Sequence, residues 1–330
     1  MVCYNSQMKK IYITRKIPDI GVKLLQDKGY TVDVYPKDRV MSQSELIRVL
    51  KNGSYDGVVS LLTDKIDSKV YDAAPSVKVF ANYATGFDNI DVVEAKKRGI
   101  AVANAPAPQT SESVAEHALA LALALAARIV EADEFMRKGK YKGWDPMLFI
   151  GMDVLGKTLG IVGVGRIGGK VAHYAAGLGM KIIYSDVSRN EQIEKESAAV
   201  YCASIDELLP QADIVSLHVP LMDSTRHLIN EARLKTMKPT AFLVNTSRGP
   251  VVDEIALTKA LKEKTIAGAA LDVFEFEPKI APGLAKLPNV ILTPHIASAS
   301  LQTRDEMAEM AANNIIDFFE GKPLRNSVIQ

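Results

Sequence analysis

Three side chains of complementary chemistry each follow a predicted strand in the second half of the chain. Arg248 lies in Asn245-Thr-Ser-Arg248-Gly249-Pro, Glu277 in Asp272-Val-Phe-Glu-Phe-Glu277-Pro278, and His295 in Thr293-Pro294-His295-Ile-Ala-Ser298. A planar guanidinium can grip a carboxylate in bidentate fashion. An imidazole exchanges a proton near neutral pH, and an adjacent carboxylate favours its charged form. Together they fit proton transfer onto a small carboxylic acid. The five histidines are His117, His173, His218, His227 and His295. Open α/β sheets bind ligands outside the carboxyl ends of their strands. His218, in Leu217-His218-Val219-Pro220, ends a strand just as His295 does, so position leaves both as candidates. His117 and His173 fall within predicted helices and read as packing or surface residues.

The sharpest local pattern is Gly163-Val-Gly165-Arg-Ile-Gly168. A G-x-G-x-x-G run alone is weak evidence. Here it follows the apolar strand Thr158–Val162 and opens a helix from Arg166, which is the context of a dinucleotide fingerprint. The first glycine permits a tight turn, the second lets a pyrophosphate approach the backbone, and the third lets helix and strand pack closely. The helix N-terminus then faces the phosphates. Asp186 follows the next strand, 18 residues after Gly168 and near the ~20-residue separation expected of an acid on the ribose 2′-hydroxyl. A carboxylate there repels a 2′-phosphate and favours NAD over NADP. Arg189 keeps NADP as the alternative, since a guanidinium there could hold that phosphate.

The elements that must position these groups read as two α/β series. In the first, strands fall at Lys10–Thr14, Thr31–Tyr35, Gly57–Leu62, Val77–Asn82 and Ile100–Ala103, with helical stretches between them. That alternation predicts a parallel sheet. Asn104-Ala-Pro106-Ala-Pro108-Gln-Thr110 breaks the series, because two close prolines suit neither a helix interior nor a central strand. We place a hinge there. Ser113-Val-Ala-Glu116 has capping-box spacing, and the Ala/Leu run after it predicts one buried helix over 113–136, suited to a subunit interface. The second series has strands at Thr158–Val162, Lys181–Ser185, Ile214–His218, Ala241–Asn245, Ala267–Leu271 and Val290–Leu292. A last helix, about Leu301–Glu320, is long enough to cross back to the first series.

The 330 residues suggest about two domains. Forty Lys+Arg against thirty-nine Asp+Glu give a net charge of +1, so no global field draws nucleic acid or an anionic membrane. Two cysteines, Cys3 and Cys202, support neither a disulfide framework nor a metal knuckle. The longest apolar run, Ala118–Ala127, falls short of the ~20 residues needed to span a bilayer. The N-terminus lacks the apolar core of a signal peptide. The expectation is a cytoplasmic protein without metal, membrane or nucleic-acid partner.

Gly163–Gly168, NTSRGPVVDE, LDVFEFEP and TPHIAS, in this order and at these separations, resemble the D-isomer-specific 2-hydroxyacid dehydrogenase family. The resemblance runs from about Lys10 to Val328. Ala81–Asp91 and Trp144–Asp153 look like its glyoxylate/hydroxypyruvate reductase branch. It implies two Rossmann/flavodoxin-like doubly wound α/β domains. A substrate domain of residues 1–105 and 300–330 would be interrupted by an NAD-binding Rossmann domain of residues 106–299 that carries the dimerisation helix. It also implies NAD-dependent reduction of a small 2-oxo acid to the D-2-hydroxy acid, by a homodimer. Arg248 matches the arginine that grips the substrate, His295 the general acid, and Glu277 the acid paired with it. His218 matches a position beside the adenine, which settles the choice of histidine. Ala84, Thr85 and Gly86 match the loop that holds the substrate carboxylate. Trp144 resembles a tryptophan lent by the partner subunit. Cofactor contacts fall on Gly163, Gly165, Arg166, Ile167, Gly168, Asp186, His218, Val219, Pro220, Thr225 and Thr246, with Asp272 near the nicotinamide carboxamide. Relatives acting on D-lactate or other 2-oxo acids, and NAD-sensing corepressors, remain as alternatives.

Overall fold

The computed structural model describes residues 8–329, so Cys3 lies outside the described residues. The chain divides into two units, one of residues 1–110 and 299–330, the other of residues 111–298.

The first unit holds five parallel strands: β1 (Lys10–Ile13), β2 (Thr31–Val34), β3 (Gly57–Leu61), β4 (Val79–Tyr83) and β5 (Ala101–Ala103), in the order β2-β1-β3-β4-β5. The inner strands are apolar on both faces, as a sheet covered on both sides requires, and every residue of β4 is buried. The last helix, Leu301–Phe319, belongs to this unit and packs Met307, Ala308, Ala311, Ala312, Ile315 and Ile316 into its core. Ser300 starts it by accepting the Thr303 N–H.

The second unit holds seven parallel strands: β6 (Thr158–Val162), β7 (Lys181–Ser185), β8 (Val200–Tyr201), β9 (Ile214–Leu217), β10 (Phe242–Asn245), β11 (Gly268–Leu271) and β12 (Val290–Leu292). Their order is β12-β11-β10-β9-β6-β7-β8. The strand order reverses between β6 and β9, the crevice where doubly wound sheets take their ligands. The two-residue β8 is absent from the sequence reading, being too short to carry a period.

One expectation fails. Residues 113–136 are not one helix opened by Ser113. A helix starts at Pro108, whose fixed φ and missing N–H suit a first turn, and ends at Ala126. A second helix, Ile129–Arg137, departs at 64°. The Ala126 carbonyl, which would accept the N–H of Val130 in a continuous helix, accepts instead from Met152 N–H at 2.8 Å. Arg128 takes the left-handed conformation, φ 55°. The first of these helices does bury Ala115, Ala118, Leu119, Leu121, Ala122 and Leu125 in the core of the second unit. Among the described residues, no single helix is long and apolar enough to cross a membrane.

Candidate active site

The second unit gathers its chemistry on the loops that follow its strands. After β6, Gly163 turns at φ 90°. A Cβ on it would lie 2.9–3.0 Å from Val219 and from the His218 backbone beyond β9, so the crevice closes only over glycine. Gly165 precedes the helix Arg166–Gly177, and apart from its own chain neighbours no atom lies within 4 Å of where its Cβ would stand. A cradle open there, at a helix N-terminus, fits a pyrophosphate. A Cβ on Gly168 would meet the Gly163 carbonyl at 2.0 Å. Arg166 and Ile167 form the first turn of that helix.

Asp186, just after β7, accepts the N–H of Val164 at 2.7 Å and of Val187 at 2.6 Å. It braces the glycine loop. The Arg189 guanidinium is occupied by Glu194, through Nε at 2.7 Å and an Nη at 2.8 Å. That ion pair lies on the surface. His218 Nε2 lies 2.8 Å from Ser216 Oγ, and burial pushes its imidazole down to about 4, so the ring is neutral near pH 7. That suits a contact residue and not a proton donor. Thr225 Oγ1 donates to the Pro220 carbonyl at 2.6 Å and accepts the Met222 N–H, closing the turn after Val219 and Pro220. Thr246 Oγ1, beyond β10, is buried without a hydrogen-bond partner, a polar atom that a bound cofactor can satisfy.

Arg248 sits on a loop folded by Asn245. The Asn245 side chain is fully buried, accepts the Ser247 N–H at 3.0 Å and donates to the Arg248 carbonyl at 3.0 Å. Gly249 then packs flat on the next loop, where a Cβ would lie 1.9 Å from the Phe274 carbonyl. That second loop carries Glu277. Its Oε1 accepts the Phe274 N–H at 2.9 Å, and its Oε2 lies 3.2 Å from His295 Nδ1. Burial alone would favour the neutral acid. The His295 hydrogen bond, the Phe274 N–H and the charges of His295 and Arg248 outweigh it and hold Glu277 below the usual carboxylate range. Glu254 is buried behind this loop and accepts the N–H groups of Glu275 and Ala281.

His295 stands in the left-handed region, φ 56°, uncommon for a non-glycine residue. Asp272 holds it there. The Asp272 carbonyl accepts the His295 N–H at 2.8 Å, and its carboxylate accepts the N–H of Ile296 at 2.9 Å and of Ala297 at 2.7 Å. Asp272 is wholly buried, which opposes ionisation. Contacts with His117, Thr293 and these two amides prevail and keep its pKa low.

Arg248, Glu277, His295, Asp272 and the fingerprint thus all lie just past strand ends of one sheet. The chain from residue 119 to 297 matches the model of the D-isomer specific 2-hydroxyacid dehydrogenase NAD-binding domain. The chain belongs to the D-isomer specific 2-hydroxyacid dehydrogenase family. Along nearly its whole length it is also similar to a glyoxylate reductase of Korarchaeum cryptofilum, 51% identical over 324 residues covering 97% of this chain and 96% of that one. Among solved structures it resembles a glyoxylate reductase from Paecilomyes thermophila (TM-score 0.85, 32% identity, 98% of each chain covered). It also resembles a D-lactate dehydrogenase from Aquifex aeolicus complexed with NAD and lactic acid (TM-score 0.84, 30% identity, 98% and 99% covered). A 2-hydroxyacid dehydrogenase of this family is an NAD-binding oxidoreductase with two parallel-sheet domains, as the sequence reading expected.

The remaining site candidates lie elsewhere. Ala84, Thr85 and Gly86 follow β4 in the first unit. Asn104 Nδ2 donates to the Thr85 carbonyl at 2.6 Å and Asn82 Nδ2 to the Gly86 carbonyl at 3.0 Å, which fixes the loop. Trp144 is 83% exposed. Sequence reasoning missed Asn245, Glu254 and His117. The first two act through burial and turn geometry, which residue type does not reveal. His117 carries a faint signal, being the one polar ring beside the Ala/Leu run.

Proposed function

We propose that this dehydrogenase reduces glyoxylate or hydroxypyruvate with NADH. The observation that carries the reading is the Glu277–His295 pair, 3.2 Å apart on strand-end loops of the sheet that bears the fingerprint. A dihydronicotinamide held by that sheet supplies a hydride. Arg248 takes the 2-oxo acid by its carboxylate and carbonyl, and its charge offsets the negative charge that grows on the carbonyl oxygen. His295 gives that oxygen the proton on Nε2, a contribution of typically ~10²–10⁴-fold. Glu277, anionic at Nδ1, orients the ring and steadies the imidazolium. The Ala84–Gly86 loop is assigned the substrate carboxylate, Asp186 the ribose, and Asp272 the carboxamide region.

The similarity to the Korarchaeum enzyme supports glyoxylate as substrate class. Asp186 supports NAD over NADP. The working form in this reading is a cytoplasmic homodimer. The helix Ile129–Arg137 buries no residue and exposes Ile129, Val130 and Met136, which supports a subunit interface there. Trp144 is assigned to the partner's substrate pocket.

The test is a substrate panel of glyoxylate, hydroxypyruvate, pyruvate and 2-oxoisocaproate, with NADH and NADPH in parallel, followed by loss of reduced-cofactor absorbance. The highest kcat/KM is expected for glyoxylate or hydroxypyruvate with NADH. A bulkier acid in first place overturns the substrate assignment. Tight NADH binding with no turnover on any acid points to a cofactor-sensing protein instead.

A further inference from the structure

The hydrogen bonds that hold Asp272 begin further back, on the helix Pro108–Ala126. His117 projects from that helix, 20% exposed, with Nε2 3.2 Å from Thr293 Oγ1 and 3.6 Å from Asp272 Oδ1. Thr293 Oγ1 lies 2.6 Å from Asp272 Oδ1. A hydroxyl has one proton, and the ionised carboxylate can only accept, so Thr293 donates to Asp272. The contact from His117 must then be a donation from Nε2–H into the lone pair of Thr293. The line runs His117 to Thr293 to Asp272, and Asp272 in turn fixes the backbone on both sides of His295.

We propose that His117, through Thr293, is a positioning residue for the proton donor. It orients the Thr293 hydroxyl, which with two backbone amides satisfies the buried Asp272 carboxylate, and Asp272 keeps His295 in its left-handed conformation. Without the His117 donor the hydroxyl can turn away, and a buried carboxylate that has lost a partner pulls on the loop it anchors. His117 touches neither substrate nor reacting atoms in this scheme. The proposal rests on the function given above, which makes His295 the acid.

The experiment compares His117→Leu, His117→Gln, Thr293→Val and the double variant His117→Leu/Thr293→Val. Glutamine can place an N–H where Nε2 stood. His117→Leu and Thr293→Val are each expected to lower kcat for glyoxylate about tenfold, the scale of one lost buried hydrogen bond. KM and the NADH Kd, read by fluorescence, should change little. His117→Gln restores most of the rate, and the double variant is no slower than Thr293→Val. Wild-type kcat in His117→Leu overturns the proposal. So does a double variant whose loss is the product of the two single losses, or a loss that appears in NADH Kd and not in kcat. Should His117→Leu fail to fold, Thr293→Ser, which keeps the hydroxyl, replaces it and is expected to keep the rate that Thr293→Val loses.

A substrate-free arm separates this proposal from the proposed function. In protein carrying nitrogen-labelled histidine, the ring signals of His295, identified by their loss in His295→Ala, should move in His117→Leu and return in His117→Gln. If the wild type leaves glyoxylate untouched but these signals behave so, the proposed reaction falls and the positioning line stands. If glyoxylate is reduced and both the signals and kcat ignore His117, the positioning line falls alone.

Discussion

Glu277 carries an ionisation that its burial opposes and its neighbours enforce. A depressed carboxylate stays charged at every pH above its own low value and loses the proton-linked advantage only as pH falls through that value. Glu277 therefore remains an anion down past the ordinary carboxylate pKa of ~4.3. Its titration should leave no acid limb in the pH profile of kcat/KM above that point. Glu277→Gln removes the carboxylate that lies 3.2 Å from His295 Nδ1. The expected result is a lower kcat/KM for glyoxylate at neutral pH. Wild-type kcat/KM in Glu277→Gln would mean that the carboxylate charge is not needed to position the ring. His295→Ala should lower kcat by about 10²–10⁴-fold while NADH still binds. The types and order of these residues were legible because acid, base and guanidinium chemistry belongs to side chains. Their supports were not. Asn245 and Glu254 act because they are buried under particular backbone amides, a property of the folded loops and not of the residues' own chemistry.

Strands were the most legible elements. β6, β7 and β12 coincide with the apolar runs that predict them, since a buried parallel strand needs an unbroken apolar stretch between turn signals. The helix break at Ala127–Arg128 was hidden because its cause is tertiary. No glycine or proline marks it; a distant amide, Met152 N–H, claims the Ala126 carbonyl. Loop placement is equally tertiary at Gly249. Its Cβ position is filled by the Phe274 carbonyl and the Glu275 nitrogen, rigid backbone that cannot step aside like the end of a flexible side chain. Gly249→Ala must therefore part the Arg248 loop from the Glu277 loop. The expected outcome is a fall in kcat/KM for glyoxylate of about tenfold or more, with NADH affinity nearly kept, since a displacement of about 1 Å at a reacting group can cost ~10²-fold. Wild-type kinetics in Gly249→Ala would show that this contact does not set the position of Arg248.

At the scale of the whole molecule, the surface left by the helix break is what the proposed homodimer would cover. The helix Ile129–Arg137 contributes nothing to the cores of either unit, yet it presents Ile129 at 55%, Val130 at 46% and Met136 at 55% exposure. The segment that follows exposes Tyr141, Trp144, Met147 and Ile150 as well. An exposed apolar stretch of this kind marks an interaction surface. In a two-fold dimer each surface residue enters the interface twice, so one new charge per chain is buried as two. If the proposed dimer forms through this surface, Ile129→Asp is expected to turn it into a monomer at micromolar concentration in sedimentation experiments. Its Tm should barely move if measured as a property of the separate chain, because Ile129 packs in no core. Under the proposal that Trp144 enters the partner's pocket, the monomer should also lose kcat/KM for glyoxylate, and Trp144→Ala in an otherwise intact dimer should reproduce most of that loss. A dimer that survives Ile129→Asp places the interface on another face. A monomer with full activity removes Trp144 from the partner's pocket and leaves each chain sufficient for its own reaction.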